Sequence, residues 1–175
     1  MPTSEAPVEI VPYDSSWPER FEEERQRLLQ TIGSWLVGPV EHIGSTAIPG
    51  LAAKPVIDIM AGVETLGASR PAIAALTDLD YCYAPYRPEL EHWFCKPSPA
   101  FRTHHLHLVP FGSPQWIAPM AFRDYLRSHA HVATEYEELK RGLAEKHRHD
   151  REAYTAAKGP FVIRITSLAL MDHGR

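Results

Sequence analysis

Two short stretches carry the residue types best suited to handling phosphate: His42-Ile-Gly-Ser-Thr46 and Lys54-Pro-Val-Ile-Asp58. A strand ending in Gly44-Ser45 lets bare backbone approach a ligand, and the turn's N–H groups, with the hydroxyls of Ser45 and Thr46, can hold phosphate oxygens. Asp58 on an adjacent strand offers a carboxylate to Mg²⁺, a hard cation that shares its remaining sites with phosphate and water. The same residues are also compatible with an ordinary tight turn and a buried carboxylate held by backbone N–H groups. Lys54 precedes a proline, so its backbone is extended and its ammonium can reach the cleft mouth as a phosphate partner or stay solvated. His42 is either a site residue beside the turn or a satisfied sheet histidine.

A second group lies in Thr-His-His-Leu-His-Leu-Val, residues 103–109. In a strand, His105 and His107 share one face while His104, Leu106 and Leu108 share the other. With Asp58 nearby, His105 and His107 form a two-histidine, one-carboxylate set suited to Zn²⁺, Mn²⁺ or Fe²⁺. Alternatively they face the cleft as polar residues bonded to Asp58 or to a phosphate, one of them acting as general base. Arg87, Arg102 and Arg123 are further anion contacts, though Asp124 is an equally good structural partner for Arg123. Trp93, Trp116 and Phe101 are placed to stack on a base or to pack.

These residues need a scaffold, and 175 residues are enough to build one around a continuous core. Hydrophobic residues at 44% and charged residues at 23% are a globular composition, and 18 basic against 22 acidic side chains leave a net charge of −4. That balance argues against coating with nucleic acid by bulk electrostatics. No apolar run approaches membrane-spanning length, and the first residues carry no secretion signal, so a cytoplasmic protein is expected. Cys82 and Cys95 do not amount to a disulfide framework and are expected as reduced, buried thiols.

Along the chain, Val8 to Pro12 reads as a short strand. Ser16 and Pro18 open a helix expected to run to about Val37, with Trp17, Phe21, Leu28, Ile32 and Trp35 at helical intervals. Strands follow at 40–44 and 56–63. The second is apolar on both alternating faces except at Asp58, which marks a central strand. A short helix is expected over 70–79, then strands at 81–84, 92–96 and 104–109 that extend the sheet antiparallel. From Gln115 the periodicity is helical, with stripes through Phe122, Tyr125 and Leu126 and through Val132, Tyr136, Leu139 and Leu143, and with last stretches at 150–158 and 160–172. Near-equal basic and acidic side chains make this tail read as solvated faces.

The strings VPYDSSWPERFEEE, VEHIGSTAIPGLAAKPVIDI and FRDYLRSHAHVATEYEELKRGLAEKH resemble the GrpB family, which also occurs fused behind dephospho-CoA kinase domains. That family is similar in turn to the DNA polymerase beta-like nucleotidyltransferases, whose signature is a hydrophobic residue, Gly-Ser, a spacer and two acids separated by one hydrophobic residue. Ile43-Gly44-Ser45 and Asp58 match it. The second acid's position holds Met60, and a thioether is a poor ligand for a hard cation, so the usual two-cation centre is short of one carboxylate.

The resemblance implies a mixed α+β fold, a nucleotidyltransferase-like mixed sheet flanked by helices, in one domain over 1–175. Its sheet core covers about 8–112, and a helical part covers about 113–175. The implied function is binding of a nucleotide or CoA-related phosphate ligand with metal-dependent nucleotidyl transfer. In that scheme Gly44, Ser45, Thr46, Lys54 and His42 hold phosphate and Asp58, His105 and His107 serve catalysis. The expected cofactor is a divalent cation, Mg²⁺ or Mn²⁺ ahead of Zn²⁺. A non-catalytic accessory module and a metal-dependent hydrolase on His105, His107 and Asp58 are the alternatives.

Overall fold

The computed structural model describes residues 5–172. A first helix, α1 (Trp17–Ile32), is followed by a 3₁₀ turn and by β1 (Leu36–Ile43), and then, after a loop, by β2 (Ile57–Val63). A short helix α2 (Pro71–Ala75) leads into β3 (Cys82–Tyr83), β4 (His92–Pro97) and β5 (Arg102–Pro110). Three helices close the chain: α3 (Pro114–Ser128), α4 (Ala130–Lys146) and α5 (Arg151–Asp172). The sheet order is β1-β2-β5-β4-β3, with β2 and β5 parallel and every other pair antiparallel. This is the expected mixed α+β architecture with β2 inside the sheet.

Register decides which side chains meet, because residues directly opposite across a ladder project from the same face. Ile57, Ile59, Ala61 and Val63 of β2 join Leu106, Leu108 and Phe94 in the main core, which α1 and α2 cover with Trp17, Leu28, Ile32, Ala72 and Leu76. The other face carries Asp58 opposite His105, and Met60 opposite His107. There α3 covers one end, where Ile43, Met60, Val109 and Trp116 form a small cluster. The rest of that face lines a cavity.

Several local expectations are corrected. The N-terminal strand reduces to one bridge, Val11 to Ala53, because Val8 packs with Ala144 and Tyr154 and leaves the sheet edge alone. Helix α1 stops at Ile32, and residues 36–39 join β1 instead. Gly38 and Pro39 sit where the β1–β2 register shifts, and β1 is an edge strand, which tolerates a proline's missing donor. The two last helical stretches are one helix that passes through Pro160, held there by Phe161 and Ile165 buried with Tyr136 and Phe122. Cys82 and Cys95 are free thiols opposite each other on β3 and β4, with Cys95 buried and Cys82 half-buried.

On the core face, His42 stacks on Phe21 with ring centroids 4.8 Å apart. His104 lies on the same side, opposite Ile57 and Lys96. Burial lowers both imidazoles to about 4, so both fold neutral. An unfolded histidine takes up its proton near 6.5, so below that value the unfolded chain binds more protons and stability falls. The denaturant midpoint is expected to drop as pH goes from about 7 to about 4, and His42→Phe should flatten that slope; an unchanged slope removes His42 as a source.

Candidate functional site

The cavity on the open sheet face has a volume of about 810 Å³, within the range of small-molecule sites. Its floor is the Asp58 carboxylate and the two imidazoles of β5. The loop after β1 supplies one wall, through Ser45, Thr46 and Lys54, and α4 and α5 supply another, through Lys140, Tyr154 and Lys158. Arg87, Arg102 and Trp93 line the rim on the β3–β5 side.

Gly44 makes the floor possible. Its backbone sits at φ 72°, ψ −172°, a conformation open essentially to glycine alone, and a Cβ there would lie 2.5 Å from Asp58 Oδ2. The chain thus turns directly over the carboxylate and places Ser45 beside it. Ser45 lies near the Tyr136 hydroxyl of α4, where it partly offsets the upward push of burial on that phenol. Thr46 is committed inward: its hydroxyl donates to Val56 O at 3.3 Å and bonds His42 Nε2 at 2.9 Å.

Asp58 and His105 form a hydrogen-bonded pair, Oδ1 to Nδ1 at 2.8 Å, and Glu91 and His107 form a second, Oε2 to Nδ1 at 2.6 Å. Burial opposes ionisation of Asp58. The hydrogen bond from His105, with the nearby His105, His107 and Lys54, outweighs that and holds the carboxyl well below the usual range. Burial lowers the His105 imidazole more than Asp58 raises it. The consistent state is a carboxylate accepting from a neutral imidazole whose Nδ1 carries the proton. Nε2 of His105 is then a bare lone pair, and among the described residues it is the buried side-chain nitrogen or oxygen that lacks a hydrogen-bond partner.

The expected ligand set Asp58, His105 and His107 does not come together as three donors on one ion. Asp58 and His105 bond each other, His107 bonds Glu91, and among the described residues no group of three or more His, Cys, Asp or Glu side chains is arranged to hold a metal. Met60 is 1% exposed, in the apolar cluster under α3, so nothing at the second acid's position reaches the cavity. The donor set does not fit a protein-held two-cation centre. His42 is also corrected, since it projects to the core face and supports the turn only through Thr46.

The helical tail contributes more than solvated faces. Lys140 is 1% exposed, its Nζ donating to Ala52 O at 2.5 Å and lying 4.8 Å from the Tyr136 ring. Lys54 and Lys158 flank Tyr154, with ammonium groups 5.2 and 4.5 Å from its ring centre. Among the described residues none of the three lysines has a carboxylate partner within ion-pair distance. Burial and mutual repulsion lower Lys140 to about 7 and Lys158 to about 8, and burial lowers Lys54 as well. Of the other candidates, Arg123 is buried against Glu41, Asp124 and His42 O, Trp116 is core, and Phe101 lies exposed away from the cavity lining.

Comparison with known proteins gives the lineage. The family model described as GrpB protein matches residues 7–168. The chain belongs to the GrpB family. This GrpB-family chain is 37% identical over 167 residues to a UPF0157 protein of Pseudomonas aeruginosa, covering 93% of its own length and 68% of the relative's. It is 36% identical to the glutamate-rich protein GrpB of Alkalihalophilus pseudofirmus, covering 90% of its own length and 93% of that protein. A dephospho-CoA kinase of Mycolicibacterium paratuberculosis is 30% identical over 187 residues, with 89% of this chain but 44% of the kinase covered. The crystal structure of GrpB from Enterococcus faecalis superposes with a TM-score of 0.86 at 34% identity, covering 95% of this chain and all of that one. The GLD-2/RNP-8 complex is similar at a TM-score of 0.56 and 12% identity over 84% of this chain and 58% of that one, a likeness of fold. Among the described residues no helix is long and apolar enough to cross a membrane.

Proposed function

We propose that the cavity binds a phosphorylated small molecule, a nucleotide or a CoA-related ligand, with its phosphates between the Gly44-Ser45 turn and Lys54, Lys140 and Lys158. One observation carries this reading: three ammonium groups from three separate elements line one cavity with no carboxylate within ion-pair distance among the described residues, and Asp58 in the floor attracts Lys54 and Lys158 without offsetting their burial. Such an arrangement is costly in the absence of an anion and favourable with one. Ile43-Gly44-Ser45 and Asp58, which match the nucleotidyltransferase signature, support a nucleoside triphosphate as donor. Mg²⁺ or Mn²⁺ fits this reading as an ion carried in on the phosphates.

Calorimetric titration with ATP, CoA and inorganic tripolyphosphate tests it. Lys140→Met keeps the stem of the side chain and removes its charge, and is expected to weaken ATP binding at least tenfold, about 1.4 kcal/mol. The pH dependence has a definite sign. An anion favours the charged lysines, so affinity is greatest below about pH 7 and falls as pH rises through the free-protein values of about 7 and 8. Proton uptake on binding follows, visible as a heat that depends on the buffer's ionisation enthalpy. Unaltered affinity in Lys140→Met together with no proton uptake would sink the proposal.

A second reading has its own observation. Met60, buried where the second acid of the nucleotidyltransferase pattern would stand, favours a module that binds the ligand without turning it over. Relatives named dephospho-CoA kinase that contain a matching segment make a CoA-related ligand its natural candidate. Ligand-dependent thermal stabilisation with no product formed supports that version.

A further inference from the structure

We propose that His105, oriented by Asp58, is the general base that takes the proton of the attacking hydroxyl, in place of a carboxylate working with protein-bound cations. This rests on the reading that the cavity binds a nucleoside triphosphate, and adds how the acceptor is activated. The geometry of the Asp58–His105 pair is the first support. With Nδ1 donating to the carboxylate at 2.8 Å, the basic lone pair is confined to Nε2. That nitrogen is the described buried side-chain polar atom left unpartnered, an arrangement that costs stability and has no structural return of its own.

Position is the second support. His105 lines the cavity that also holds Ser45 and the three lysines, so phosphates lying among the lysines share one cavity with its ring. Trp93, half-buried and also lining the cavity, lies against the imidazole with ring centroids 5.1 Å apart, and Arg102 stacks over that indole at 5.2 Å. Nε2 is buried, so an acceptor has to displace neighbouring side chains to reach it. The charged and titratable groups around the ring are Asp58, His107 and Lys54. Cys95 stands opposite it on β4, and Glu91 acts at one remove through His107. Burial keeps the ring neutral in this company, as a base requires.

The step balances without an oxidant or reductant. The acceptor O–H gives its proton to Nε2, its oxygen bonds the α-phosphorus, and the bond from that phosphorus to the bridging oxygen breaks. Diphosphate leaves with the electron pair, its charge met by Lys54, Lys140 and Lys158. Asp58 is a positioning residue in this scheme: it fixes the tautomer and steadies the imidazolium that forms.

The test joins nitrogen NMR to a turnover assay on the full chain. In protein labelled with ¹⁵N-histidine, His105 at about pH 7 is expected to show a protonated Nδ1 and a bare Nε2, and Asp58→Asn is expected to move the proton to Nε2. With ATP labelled on its α-phosphate, magnesium present and glycerol or water as acceptor, His105→Gln is expected to slow transfer of the label to the acceptor, and the diphosphate release that accompanies it, by roughly 10²-fold or more while ATP affinity stays within about twofold. A proton found on Nε2 of the wild type, or turnover preserved in His105→Gln, overturns the assignment. ATP bound by the wild type with no diphosphate released also overturns it and leaves the phosphate-binding reading standing. If the wild type binds none of ATP, CoA or tripolyphosphate, both fall together.

Discussion

Replacing Lys96 by Met is expected to lower the unfolding midpoint by roughly 6–12 °C, a loss of about 3 kcal/mol, although Lys96 lies outside the cavity. Its Nζ donates to Glu24 Oε1 at 2.6 Å, with the two side chains 11% and 3% exposed. Tyr81 also donates to that oxygen, at 2.9 Å, and burial followed by the nearby Glu24 pushes its phenol well up. Removing the ammonium leaves a carboxylate under α1 with Tyr81 and, at 3.8 Å, the outer guanidinium of Arg27. An uncompensated buried charge is among the few single changes that cost this much. The partner experiment separates charge from packing. Glu24→Leu combined with Lys96→Met removes both ions and should recover most of the loss, since a buried pair is rarely worth more than apolar side chains of similar size. A double variant less stable than Lys96→Met alone would show that the pair contributes net stability.

Glu24 and Lys140 show what was and was not legible in the sequence. Strand β2 announced itself as a run apolar on both faces and β5 by its alternating faces, and the Gly44-Ser45 turn and Asp58 by being odd residues in apolar surroundings. Glu24 falls between Phe21 and Leu28 on the inward stripe of α1, and Lys140 follows Val132 and Tyr136 at intervals of four on α4. All of Val132, Tyr136, Lys140 and Ala144 are buried. A charge on an apolar stripe was therefore a readable signal, masked by the even mixture of signs in the tail. Lys158, four residues after the buried Tyr154, was hidden in the same way. Pairings across the chain were not readable at all. That Glu91 reaches His107, that Lys140 meets the loop before β2, and that His42 points away from Asp58 depend on register and on how α4 and α5 lie over the sheet. No local pattern encodes those relations.

Gly44→Ala is expected to remove the site and destabilise the protein in one step, by about 3 kcal/mol or more. Two independent causes add. Any residue with a Cβ is strained at φ 72°, ψ −172°, at a cost of order 1–3 kcal/mol. The new methyl must also displace Asp58, whose Oδ2 would stand 2.5 Å from it. Moving that carboxylate breaks a charge-assisted hydrogen bond to His105 that is worth about 1.5–3 kcal/mol, and the β1–β2 ladder that holds the turn over Asp58 does not yield readily. Relief by peeling the turn from the floor would open the gap between Ser45 and Asp58 on which phosphate binding depends. Either route abolishes ATP and tripolyphosphate binding, and the nitrogen spectrum should lose the bare Nε2 of His105. Gly50→Ala is the fitting control: it too has positive φ, at 79°, yet a Cβ there meets nothing within 4 Å. Its cost is the backbone strain alone, of order 1 kcal/mol, with ligand affinity unchanged. Equal losses of binding in the two variants would mean that close approach to Asp58 is not what the glycine provides.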